Sequence, residues 1–371
     1  RINYSSKIDI SNCLIKNCAS HMDGGAGIWC NNGSPKISFC TIKNNMAING
    51  DGGGIYIVSD TNQAIIDNNI ICFNEASDGG GLYIKGNVKV INNFICNNHG
   101  SWGGGILAFD GYYFNNVIAN NQGSVGGGVF CRTSSDRVRI INCNIINNFS
   151  SAVGGGLSSN YWSNPTVLNS IIYGNLSGNN QGDQVYIDSW SDAVFRNCDI
   201  QEGFDSIYVD GSFSGTYIDN IAMDPLFLAP TPDTGDYNAH LADWSVFSSS
   251  PCIDTGDTLF GSYPSYDIAN LPRISSARID IGAYELQTGL IPLDITSQPI
   301  DSTICIGGTA TFSISTIGSY SKHYRWQHNG IDIPFSDSST IHINSVLIAD
   351  SGSYQCIAFD NWTTDTSFSA Q

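Results

Sequence analysis

The chain has 371 residues, enough for two or three domains and a large core. It carries 33 Asp plus Glu against 15 Lys plus Arg, a formal net charge of −18, and only Glu75, Glu202 and Glu285 among the acids are Glu. That balance argues against nucleic acid, anionic membrane surfaces and polyanionic polysaccharides as partners, and no apolar run reaches the length of a membrane span. It fits a soluble extracellular protein, and a bland solvated surface explains it equally well.

The first elements in chain order are short apolar runs flanked by asparagine. They read Ser11-Asn-Cys-Leu-Ile15, Ser38-Phe-Cys-Thr-Ile42, Asp67-Asn-Asn-Ile-Ile71, Asn92-Asn-Phe-Ile95, Asn115-Asn-Val-Ile118, Ile141-Asn-Cys-Asn-Ile145, Asn169-Ser-Ile-Ile172 and Asn197-Cys-Asp-Ile200. Most are followed by a further asparagine or two, as at Asn97-Asn98, Asn120-Asn121 and Asn147-Asn148. A glycine run travels with them: Asp51-Gly-Gly-Gly-Ile-Tyr-Ile57, Asp78-Gly-Gly-Gly-Leu-Tyr-Ile84, then copies at 102–108, 125–131 and 153–159, with an altered first copy at 23–30. The last glycines, Gly27, Gly54, Gly81, Gly105, Gly128 and Gly156, are 27, 27, 24, 23 and 28 residues apart. A period in the twenties marks a solenoid, in which each coil buries its apolar face only against its neighbours. The runs are too short for a 3.6 period, so the elements are strands. Asparagine tolerates the left-handed conformation and can bond to its copy one coil away. The shared position Cys13, Cys40, Asn69, Asn93, Asn116, Cys143, Ser170 and Cys198 therefore reads as an internal ladder. The expected fold is all-β: a right-handed parallel β-helix of roughly nine coils over residues 1–222.

After each glycine run the strand alternates. Ile28, Ile55, Leu82, Ile106, Val129, Leu157, Val185 and Ile207 should face inward, leaving Trp29, Tyr56, Tyr83, Leu107 and Phe130 as an exposed stripe continued by Ser158, Tyr186 and Tyr208. Aromatic surface of this kind is a candidate contact for a glycan or a surface protein, though stacked rings also simply stabilise neighbouring coils. Asp23, Asp51 and Asp78 would form an acidic row beside it. Such a row could hold a cation, Ca²⁺ being the one considered, or act as a hydrolytic pair, or it could be turn chemistry before glycine. Ten of the twelve cysteines precede residue 260, mostly at matching repeat positions, and read as small buried hydrophobes. None has the paired short spacing of a metal site, and no cofactor is expected.

Residues 223–288 differ, with Met223-Asp-Pro-Leu-Phe227, Ser249-Ser-Pro-Cys-Ile-Asp-Thr-Gly-Asp257 and Arg278-Ile-Asp-Ile-Gly-Ala-Tyr-Glu285. This succession resembles bacterial surface β-helix proteins of the pectate-lyase-like superfamily, those called choice-of-anchor proteins. The resemblance covers residues 1–288 and implies that 223–288 form an irregular last coil and cap. Residues 289–371 carry Gly307-Gly-Thr-Ala-Thr-Phe-Ser-Ile314, Tyr324-Arg-Trp-Gln-His328 and Asp350-Ser-Gly-Ser-Tyr-Gln-Cys356. These resemble the strands of an immunoglobulin-like domain, with Tyr354 at the tyrosine corner. The usual first cysteine position holds Ile314. Resemblance to bacterial modules of this kind implies a Cys305–Cys356 disulfide instead, and with it a compartment outside the cytoplasm.

A polysaccharide lyase on this fold would need a Lys or Arg base, commonly with Ca²⁺. A galacturonase-type hydrolase would show clustered Asp pairs with Gly-His-Gly. The chain offers scattered cations, with Arg132, Arg137 and Arg139 as the one local group, and only Asn98-His99-Gly100. The reading is a non-catalytic, secreted or cell-surface bacterial protein, adhesin-like, binding glycan or protein through the β-helix flank. Its alternatives are a carbohydrate-active enzyme and a structural subunit of an extracellular filament. Arg1 begins within a coil and Gln371 falls within a strand-like run, so further domains or an anchor are expected beyond the chain. The resemblance also implies export by the type IX route, and Asp-Ser-Ile207 and Asp-Thr-Leu259 match its O-glycosylation triplet at Ser206 and Thr258.

Overall fold

The computed structural model describes residues 2–3, 7–21, 24–132, 137–235, 238–258, 263–287, 293–318, 322–360 and 364–371, without the side chains at 3 and 60–62. It forms two compact units, Arg1–Gln287 and Thr288–Gln371. The first is a stack of coils whose three faces are parallel sheets of sixteen, eight and seven strands, here called sheets 1, 2 and 3.

One coil shows why the sequence folds this way. Asn92 takes a left-handed φ of 56° and turns the chain off sheet 1. Asn93 points inward, and Phe94–Cys96 form a strand of sheet 2. Asn97, at φ 55°, makes the next turn, Asn98 points inward, and His99–Trp102 join sheet 3. The unit is Asn-Asn, three strand residues, Asn-Asn. At the centre of each sheet 2 strand stands an isoleucine, and Ile42, Ile71, Ile95, Ile118, Ile145, Ile172 and Ile200 stack fully buried up the axis. Burying each contributes about 1.5–3 kcal/mol.

The inward asparagines form two hydrogen-bond ladders. In the first, the backbone N–H of Cys40 donates to Asn69 Oδ1, and Asn69 donates through N–H and Nδ2 to Asn93 Oδ1, each at 2.9 Å. Asn93 passes the pattern to Asn116, and Cys143, Ser170 and Cys198 carry it on with sulfur or hydroxyl. The expected ladder is therefore present. A second runs through Asn45, Asn74, Asn98, Asn121, Asn148 and Asn175, ending on Gln184 Oε1. Every one of these amides also donates Nδ2 to a main-chain carbonyl of the coil before, so the buried polar groups are satisfied rather than stranded.

The glycine runs fit against the second ladder. The first glycine of a run is left-handed, as Gly79 is at φ 64°. A Cβ on Gly80 would meet His99 O at 2.3 Å, and one on Gly81 would meet Gly105 O at 2.6 Å and Asn98 Nδ2 at 2.9 Å. The three glycines thus answer three separate steric demands, and the last couples each glycine run to its own ladder asparagine.

The described residues of 223–287 do not form an end cap. They turn back and lie along the outside of sheet 2, as a strap held at both edges by the left-handed asparagines. On one edge Asn147 Nδ2 donates to Thr231 O, Asn120 Nδ2 to Asp233 O, and Asn97 Oδ1 accepts the N–H of Ala239. On the other, Asn115, Asn142, Asn169 and Asn197 donate to the carbonyls of Tyr266, Asp280, Asp257 and Thr255. Between these edges Trp244, Ala239 and Ala283 bury Cys72, Cys96, Val117, Ala119 and Ile146. The strap lies there because the outer face of sheet 2 is apolar and needs a cover. The end of the coil stack is packed instead by Phe213 and Tyr217, both edge-on to Phe204 at 5.3 Å.

The second unit pairs Thr309–Ser313 with Thr340–Asn344 and places His323–His328 beside Tyr354–Phe359, all antiparallel. Trp326 is fully buried, and Tyr354 donates its hydroxyl to Asp350 O at 2.8 Å, a tyrosine corner. The Cys305–Cys356 bridge is not formed, and both thiols are free. Cys356 faces the core opposite Trp326, and burial pushes its thiol up to about 11, whereas Cys305 is exposed ahead of the Thr309 strand.

Candidate functional site

Sheet 1 carries the expected outward row in strict register: Trp29 faces Tyr56, Tyr56 faces Tyr83, Tyr83 faces Leu107, Leu107 faces Phe130 and Phe130 faces Ser158. Tyr186 and Tyr208 continue it and stack at 5.6 Å. The inward positions Ile55, Leu82, Ile106, Leu157 and Val185 are fully buried, as alternation demands.

The stripe is broken in the middle. Leu107 is 0% and Phe130 1% exposed, so neither belongs to a contact surface. Trp102, at the end of a sheet 3 strand, lies edge-on to Phe130 at 5.9 Å. The Arg132 guanidinium then sits 4.5 Å from the Trp102 ring and 4.8 Å from that of Tyr161. Two cation–π contacts close this canopy, each worth about 0.5–1 kcal/mol at the surface.

The first three rings behave differently. Trp29 and Tyr56 are parallel within 8° at 6.1 Å, and Tyr56 and Tyr83 within 19° at 4.6 Å. Rings stacked along the axis cover one another's faces and turn edges and hydroxyls outward. Phe109 packs against the far side of Tyr83 at 5.4 Å, and Lys85 lies over Phe109. Burial pushes the Tyr83 phenol well above its ordinary range, and Tyr56, Asp51 and Asp78 add to that, so it stays a hydrogen-bond donor.

Asp51 and Asp78 are register partners beside this row. Asp23 lies outside the described residues. The row continues from Asp78 to Trp102, so the carboxylates do not extend further up the stack. Burial raises the Asp78 carboxyl above its usual range, with Arg132 opposing the shift. Among the described residues, no group of three or more His, Cys, Asp and Glu side chains is placed to hold a metal ion.

The acids of the strap are structural staples. Asp267 accepts the N–H of Leu271 and Glu285, Asp280 those of Asp254 and Leu286, and Glu285 those of Ser275 and Asp280. Fully buried Arg273 sits among them and donates to the carbonyls of Asp280, Gly282 and Ala283. Ser206 donates its hydroxyl to Gln201 O and Gly203 O, and is only half-exposed. Thr258 is half-buried, its carbonyl accepting from the Tyr263 hydroxyl. Arg137 pairs with Asp110 at 3.7 Å, and Arg139 lines a groove with Lys89, Tyr112 and Phe114, walled by Tyr263 and Pro264 of the strap.

The residues not foreseen are Tyr161, Trp162 and Trp190, in the turns that link the two halves of sheet 1. A signal was available, because Trp162 and Trp190 are 28 residues apart, one repeat period.

These features define an all-β protein whose solenoid carries an aromatic flank and is followed by an immunoglobulin-like unit. The model of the right handed beta helix region family matches residues 1–71, and that of the immunoglobulin domain family matches residues 294–359. The chain is therefore a right-handed parallel β-helix joined to an immunoglobulin-like domain. No curated protein matches it. No helix among the described residues is long and apolar enough to cross a membrane.

Proposed function

We propose that this chain is the adhesive part of a secreted or cell-surface bacterial protein of the choice-of-anchor kind, binding a glycan or a surface protein through the flank of its β-helix. The supporting observation is the outward row of sheet 1. Trp29, Tyr56 and Tyr83 stack on a backbone fixed by two buried hydrogen-bond ladders, with Asp51 and Asp78 alongside. Rigid aromatic anchors lose little entropy on contact, which is what a binding surface requires. The immunoglobulin-like unit would serve as a spacer.

The test is a glycan array and a polysaccharide-depolymerisation screen on the purified chain, with and without Ca²⁺. Binding without turnover, weakened in the W29A/Y56A/Y83A variant, is the expected result. Release of unsaturated or reducing ends would replace this reading with a carbohydrate-active enzyme. Silence in both assays, with no protein captured, would leave a structural filament role.

A further inference from the structure

The left-handed positions of the solenoid are filled mostly by asparagine, with a few single exceptions such as Phe39 and Phe73. Among the described residues one pair of neighbouring non-glycine residues is left-handed: Tyr161 and Trp162, both at φ 61°. Bulky side chains pay most for this conformation, of order 1–3 kcal/mol each, and it persists only where the surroundings over-determine it. Here they do. Asp188, one coil on, accepts the N–H of Tyr161 on one oxygen and that of Trp190 on the other, and the N–H of Ser163 donates to Ser191 Oγ. Ser159 donates its hydroxyl to Ser163 O and closes the turn from below.

The bracket holds two tryptophans out of the protein. Trp162 is 55% and Trp190 64% exposed, with ring centroids 5.6 Å apart and planes tilted by 42°. Unlike Tyr56 and Tyr83, these rings do not hide their faces on each other, so broad apolar surface stays open. Large apolar side chains of this kind in water, on a rigid and strained turn, are not accounted for by packing.

We propose that Trp162 and Trp190 form a platform for a neutral polysaccharide, whose chain runs along the solenoid axis with successive pyranose rings on successive coils. The idea rests on the flank-binding reading above, narrows it to one ligand class, and places the contact off the row that the repeat marks. Three observations select the ligand. The apolar face of a pyranose matches an exposed indole, and coils repeat at about 4.8 Å, a rise on the scale of one sugar unit. Around the turn, Asp188 inside the bracket and Asp192 bonded to Ser214 outnumber the one cation Arg132 on the Tyr161 ring, in a chain of net charge −18. That charge repels uronate and sulfate sugars and acidic protein faces, and leaves carboxylate and amide acceptors for sugar hydroxyls.

The experiment titrates the whole chain with hydroxyethylcellulose, xylan and mannan, with polygalacturonate as the anionic comparison and phosphatidylcholine vesicles as an apolar one. Binding is read by affinity electrophoresis and by acrylamide quenching of tryptophan fluorescence. W162A, W190A and W29A/Y56A/Y83A are compared, and circular dichroism checks that each folds. The proposal expects at least one neutral polysaccharide to bind and to shield tryptophan from acrylamide. Affinity should fall about tenfold or more in each single tryptophan variant, the scale of a lost aromatic anchor. Neutral glycan binding that survives W162A and W190A but fails in the triple variant overturns this proposal and leaves flank binding standing. Binding only to vesicles or only to polygalacturonate also overturns it. Failure of every probe overturns this proposal and restricts the flank reading to a protein ligand.

Discussion

Replacing Asn98 by Ala tests the idea that the buried amide ladder carries the coil stack. Asn98 is 1% exposed and makes four side-chain hydrogen bonds. Its Oδ1 accepts from Asn74 N and Nδ2, both at 3.0 Å, and its Nδ2 donates to Ile71 O at 2.9 Å and Asn121 Oδ1 at 3.0 Å. The partners do not lose equally. Asn74 Nδ2 keeps Ile42 O, and Asn121 Oδ1 keeps the N–H of Asn98, but the N–H of Asn74 is left buried without an acceptor. That orphan costs about 1–3 kcal/mol, and each other lost bond about 0.5–1.5 kcal/mol net. The sum is roughly 2.5–7.5 kcal/mol, which in a unit of this size lowers the melting temperature by roughly 4–12 °C. Urea unfolding followed by circular dichroism measures the loss, and hydrogen exchange locates it. Amides of the coils around Ile71, Ile95 and Ile118 should lose protection first, because solenoid stability is a sum of nearest-neighbour terms. A loss under about 1 kcal/mol, or unchanged protection at Asn74, would refute the reasoning and make the ladder incidental to packing.

Two further outcomes follow from the strap. Trp244 is fully buried against sheet 2, and Trp244→Ala should cost about 3–5 kcal/mol of local stability. Limited proteolysis should then cut within 223–287 while the coils stay intact, and cuts inside the coils instead would show that the strap and stack unfold together. Asp199, fully buried and accepting from Met223 N–H and the Cys252 thiol, has its carboxyl raised by burial to about 6. An acid with a higher pKa folded than unfolded favours the fold when protonated. Stability should therefore be greatest below about pH 4 and fall as the pH rises through about 6, by roughly 2–3 kcal/mol for this group. Glu285, raised to about 7 chiefly by burial, extends the decline upward. Asp199→Asn should flatten the lower part of the profile of urea midpoint against pH, and an unchanged profile would rule Asp199 out as its source.

The repeating part of the molecule was legible because its determinants are local. Gly81 must be glycine and Asn98 must be an amide for reasons lying within one coil and its neighbour, and the period repeats the message. Strand alternation then placed Ile55, Leu82 and Ile106 inside and Trp29, Tyr56 and Tyr83 outside, since successive side chains in a strand point to opposite faces. Alternation says nothing about what lies above an outward residue, however. Leu107 and Phe130 occupy outward positions and are buried all the same, and over Phe130 the cover is Trp102 from another turn, with Arg132 of Phe130's own strand laid between Trp102 and Tyr161.

The coil is encoded locally, and its period, its in–out pattern, its asparagine turns and the change of architecture near residue 288 can all be read from residue order. Tertiary structure alone decided where the non-repeating residues go. The strap meets the stack through contacts such as Asn97 with Ala239 and Asn142 with Asp280, which are 142 and 138 residues apart. No local propensity encodes a pairing at that distance. It arises because the left-handed asparagines leave a row of outward amides on each side of an apolar sheet, and a later segment with free carbonyls satisfies both rows at once. The exposure of Trp162 and Trp190 has the same origin, since Asp188 holds that turn from the next coil.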